Sequence, residues 1–175
     1  MNRYISLILI FMVSYLALEN NSAAHDDEYR ALAPILSSAE NFFIYLKNSN
    51  YDAAWDLLSE KSHKTIISDV YEVTRKINTD IRREDVTRDF NSRGRMFTNY
   101  WNSFHRSFDA DMILEHSEWE MGFIRKDEAE IIITYNNAEA PTILKMRKDQ
   151  DSWKVGLAET FWQRKAMTLL HLIFQ

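Results

Sequence analysis

The hydrophobic period of this chain changes at Asp109, and that change limits the fold more than any single motif. Before Asp109, apolar residues recur at three- and four-residue steps, the spacing of one helix face; after it they alternate, the spacing of a half-buried strand. Helices first and strands second make an α+β chain. The breaks between the strands are short and polar, so the strands pair antiparallel.

In the helical half, Leu32, Ile35, Leu36, Ala39, Phe42, Phe43 and Leu46 form one stripe that stops near Asn48-Ser49-Asn50. Asn50 is placed to cap a second helix with Tyr51, Ala54, Trp55 and Leu58 on one side. Ser59 is placed to cap a third, with Ile67, Val70, Tyr71, Thr74 and Ile77 on its stripe. From Asn78 to Arg95 the pattern thins, and an irregular connection with a short helix and a turn at Asn91-Ser92-Arg93-Gly94 is expected. Phe97, Trp101, Phe104 and Phe108 then mark a helix with aromatic rings along one face. Core packing is the favoured reading of those rings, and a ligand-binding aromatic box is the other.

In the β half, Met112 to Phe123, Ala129 to Asn136, Pro141 to Arg147 and Trp153 to Phe161 read as four strands. Ala129, Ile131, Ile133 and Tyr135, then Thr142, Leu144 and Met146, then Trp153, Val155 and Leu157 share an apolar face. Glu128, Glu130, Lys145, Arg147 and Lys154 take the other. The first strand conflicts with itself: Met112, Leu114 and His116 have one parity, and Trp119, Met121 and Phe123 the other. A β-bulge at Ser117-Glu118 would reconcile them and bend the sheet over a cavity.

The chain has no cysteine, which excludes disulfides, thiolate chemistry, cysteine zinc sites and a lipid-modified cysteine. Three glycines supply neither a nucleophile elbow nor a phosphate loop nor a dinucleotide fingerprint. The formal charge of −5 is spread among interleaved bases, so no basic face invites nucleic acid.

Residues 1–24 have the order of a secretory signal: Arg3, an apolar run from Tyr4 to Leu18, and the small residues Ser22, Ala23 and Ala24. Cleavage after Ala24 would leave residues 25–175 as a single periplasmic or secreted domain, and a cysteine-free exported chain fits a bacterial periplasm. Retention of residues 4–18 would instead anchor the domain in a membrane, as in an envelope assembly factor. At the far end Trp162, Ala166, Leu169, Leu170 and Ile173 form a helical stripe within a segment apolar nearly all round. Such a helix either folds back on its domain or docks a partner or a second copy.

If the fourth strand keeps its register past Leu157, Glu159 points inward, where His116 and Tyr135 also have inward parity beside Trp119. Trp119, Tyr135, Leu144 and Met146 would then line a cavity for a small apolar or amphipathic molecule. Glu159 or His116 would be the base of an isomerase, cyclase or dehydratase. The other reading puts Glu159 in water at the strand's end and makes His116 a core histidine. His105, Asp109, Asp111 and His116 have the donor types of a metal site but no metal-binding helical spacing, so neither metal nor cofactor is expected.

The run Ala39-Glu40-Asn41-Phe42-Phe43-Ile44-Tyr45-Leu46-Lys47-Asn48-Ser49-Asn50-Tyr51-Asp52-Ala53-Ala54-Trp55-Asp56-Leu57-Leu58-Ser59 resembles the opening helical hairpin of exported members of the nuclear transport factor 2-like superfamily. Asp151-Ser152-Trp153-Lys154-Val155-Gly156 is similar to a late strand of those domains. The resemblance, to the superfamily that includes ketosteroid isomerase and the SnoaL-type cyclases, implies an exported bacterial domain. Its N-terminal helices would pack on a strongly curved four-stranded antiparallel sheet, cone-shaped, with a C-terminal helix. It carries no catalytic signature, and its fold serves enzymes, binding proteins and assembly modules alike. A non-catalytic binding or protein-interaction module is therefore the first functional expectation, a cavity enzyme the second and an anchored assembly factor the third.

Overall fold

The structure, a computed structural model, describes residues 32–135 and 140–161. The chain divides into two units, Met1–Pro34 and Ile35–Gln175, and of the first only residues 32–34 are described, all helical. The expected leader, residue 136 and the turn that follows it, and the apolar stripe of residues 162–174 lie outside the described residues.

Helix α1 covers residues 32–47 and buries Ile35, Ala39, Phe42, Phe43 and Leu46, the stripe its spacing predicts. The chain reverses through Ser49, whose φ of 54° is left-handed. The side chain of Asn50 accepts from Ala53 N and starts α2 (Tyr51–Asp56). Ser59 caps α3 (Glu60–Ile77) by accepting from Ser62 N at 3.1 Å.

The buried face of α3 is Ser62, Ile66, Val70 and Val73, one residue round from the expected stripe. Ile67, Tyr71 and Thr74 flank it, and Ile77 is 73% exposed at the helix end. The thin stretch after α3 holds a regular helix, α4 (Arg83–Asn91). The Asp85 carboxylate accepts from Arg82 N at its start, a bond that holds this carboxyl below its ordinary range, and Val86 and Phe90 are buried.

Helix α5 (Arg95–Ser107) carries the aromatic row. Phe97, Tyr100, Trp101 and Phe104 are buried, and ring meets ring: Trp55 lies 5.2 Å from Phe90 and 5.8 Å from Phe97, and Phe104 lies 5.0 Å from Phe108. The row is core, its rings filling the space beside one another.

The first expected strand begins too early. Asp109 accepts from Met112 N and starts α6 (Ala110–Glu115), so Met112 and Leu114 are helical and His116 is the exposed residue that ends the helix. Strand β1 (Ser117–Ile124) follows, then β2 (Glu128–Tyr135), β3 (Thr142–Asp149) and β4 (Ser152–Gly156), an antiparallel open sheet in the order β1-β2-β3-β4. The parity conflict thus arises from a helix-to-strand junction; no bulge sits at Ser117-Glu118, and the ladder shifts between Met121 and Ile124 instead. The last expected strand ends early, at Gly156, and residues Leu157–Phe161 form helix α7.

On the inner face Ala129, Ile131, Ile133, Leu144, Met146 and Val155 are buried. On the outer face Glu130 pairs with Lys145 and Glu128 with Arg147 across the β2–β3 ladder. Alternation therefore places both sets as expected, except for Leu157, which lies in α7.

Candidate functional site

Glu159 is buried, at 4% exposure, but on α7 rather than on a strand facing a hollow. The turn into α7 rotates it toward the start of α3. There Ser59 Oγ donates to its carboxylate at 2.9 Å and Ser62 Oγ donates to Oε2 at 2.9 Å. Ser59 Oγ also accepts from Ser62 N, and Ser62 Oγ accepts from Ala158 N at 3.0 Å, so both hydroxyls use donor and acceptor at once. Arg147 Nε stands 3.9 Å from Oε1. Gly156 permits the approach: a Cβ there would meet Lys145 O at 2.8 Å and two Glu159 carbons at 3.2 Å. The arrangement is a clamp joining α7 to the first turn of α3, with the carboxylate set near that helix's N-terminal amides.

The other inward candidates do not gather around it. His116 is exposed at the end of α6. Tyr135 is half-buried at the end of β2, where burial pushes its phenol up. Leu144 and Met146 lie closed in the core at 1% and 0% exposure. Ser59 and Ser62, the partners Glu159 does have, were visible in the sequence only as capping residues; nothing in the local pattern pairs them with a residue about a hundred positions on.

Trp119 lines open space. A cleft of about 340 Å³ is bounded by Leu36 and Glu40 of α1, Leu114 of α6, and Ser117 and Trp119 of β1. The indole is fixed: its Nε1 donates to Ser117 Oγ at 2.9 Å, Ser117 Oγ donates to Ile113 O, and the ring stands edge-on to Phe43 at 5.6 Å. The cleft thus offers an apolar wall, a carboxylate and a hydroxyl, a set that takes an apolar body with a polar or cationic head. The α1 stripe foreshadowed Leu36, but Leu114 and Ser117 enter only because α6 replaces the start of the strand.

A second, more polar depression of about 340 Å³ lies at the α5–α6 junction, bordered by Lys47, His105, Arg106, Asp109 and Asp111 among others. Three of the four residues weighed as metal ligands meet there, and two are already engaged. Asp109 caps α6, and Asp111 pairs with Lys47 Nζ at 2.6 Å, which with Glu115 raises the lysine above its ordinary range. Among the described residues, no group of three or more His, Asp or Glu is placed to hold a metal ion, and no helix is long and apolar enough to cross a membrane.

No protein-family model, no curated protein and no solved structure matches the chain.

Proposed function

We propose that this chain is an exported, non-catalytic binding module of the cone-shaped nuclear transport factor 2-like type, and that its binding place is the cleft at Trp119. The observation that carries this reading is the cleft's lining, two leucine side chains with Glu40 and Ser117 around a hydrogen-bonded indole. The engagement of Glu159 by two serines weighs against its use as a base, because a base must exchange its proton with a substrate. The order of residues 1–24 supports export. Helices ahead of an antiparallel meander, with a register shift in its first strand, support the cone.

Titration with the neutral amphiphile N-phenyl-1-naphthylamine tests the cleft. One saturable site is expected, weakened about tenfold by a lysine in place of half-buried Leu114 and unchanged by Glu159→Gln. Binding that ignores Leu114→Lys would place the site elsewhere. A co-purified small molecule whose turnover Glu159→Gln abolishes would replace this reading with an enzymatic one.

A further inference from the structure

The two edges of the sheet are treated differently. Along β4 the outer edge is occupied: Val155 N donates to Leu57 O at 2.7 Å, and Ser59 N donates to Val155 O at 2.9 Å, a parallel bridge formed by the segment between α2 and α3. Along β1, among the described residues, the backbone groups of Ser117–Ile124 bond to no backbone outside β2. An eight-residue strand with an open edge is a template for one more strand.

Charge adds a second asymmetry. On the outer face the β2 acids Glu128 and Glu130 each have a base opposite on β3. The β1 acids Glu118 and Glu120, both exposed, stand opposite Thr134 and Ile132, with no ion pair among the described residues. Between them Trp119 points to the other face, into the cleft with Leu36 and Leu114, and half-buried Met121 follows it. One strand therefore shows acid to one side and apolar surface to the other, in alternation.

We propose that β1 is a docking edge for an extended peptide that alternates basic and apolar residues and adds as a fifth strand. Its apolar side chains sit over Trp119 and Met121 and enter the cleft, and its lysines or arginines face Glu118 and Glu120. An inner-face side chain of such a strand stands about 5 Å from the one opposite it, within reach of the cleft. A second copy of β1 is a poor occupant, because antiparallel self-pairing brings the acids of one copy against those of the other. This proposal rests on the cleft being a binding place and names what fills it.

The test uses the full chain and a labelled peptide alternating lysine and valine, with the same residues in block order and an alternating glutamate–valine peptide as controls. The alternating basic peptide is expected to bind on the order of tenfold more tightly than either control. It should slow amide exchange within Ser117–Met121. The double variant Glu118→Lys/Glu120→Lys, both changes at exposed positions, should reverse the preference toward the acidic peptide. A preference that survives charge reversal, or protection that appears elsewhere, overturns the proposal. Loss of peptide binding with naphthylamine binding intact removes the fifth strand and leaves the cleft; loss of both removes the cleft reading too.

Discussion

At the scale of single residues, the chemistry of Glu159 follows from what surrounds it. A buried carboxylate is tolerated where hydrogen bonds replace water, and here two hydroxyls do so. Glu159→Ala leaves those hydroxyls without an acceptor and opens a void. It is expected to lose about 2–4 kcal/mol in chemical denaturation, whereas Glu159→Gln, which keeps one acceptor oxygen, loses about 1 kcal/mol. Equal losses would mean the hydroxyls are not held by the carboxylate. His63 supplies a pH dependence. Burial against Trp55, whose ring lies 4.2 Å away, pushes its imidazole below 6.5, and the bond from its ring to Trp55 O offsets this only in part. Because the unfolded chain then takes up the proton more readily, this contribution is complete above pH 6.5 and is lost as pH falls below it. The denaturation midpoint should drop between about pH 7.5 and 5.5, and His63→Gln should flatten that slope.

Helices whose caps and stripes agree were legible from the sequence: α1, α2 and α5 stand where spacing and Asn50 put them. The errors fall where two signals of similar strength compete. Asp109 is a helix cap followed by alternating apolar residues, and the cap bond to Met112 N prevails over alternation for one turn and a half. Likewise alternation runs past Val155, but the Ser62 hydroxyl accepting from Ala158 N draws the chain into α7. Asp109→Ala should therefore loosen α6 by about 1 kcal/mol, seen as faster amide exchange across Ala110–Glu115 with β1 unaffected. Slowed exchange there would mean the segment had joined the sheet.

At the scale of the molecule, one aromatic core ties the helical half together, and the sheet's inner face forms part of the same cluster of buried residues. Trp101, 0% exposed and edge-on to Phe104 at 5.5 Å, sits where α2 and α5 meet. Trp101→Ala should destabilise by about 3–5 kcal/mol, against less than about 0.5 kcal/mol for Ile77→Ala at the exposed end of α3. The sequence by itself determined the α+β order, the antiparallel pairing and which residues of the strands turn inward, because those follow from local period and short connections. Only the tertiary structure decided the surroundings of Glu159, the closing of the β4 edge and the cleft at Trp119. Each depends on residues far apart in the chain meeting in space, and no local pattern encodes which distant side chain a polar group will find.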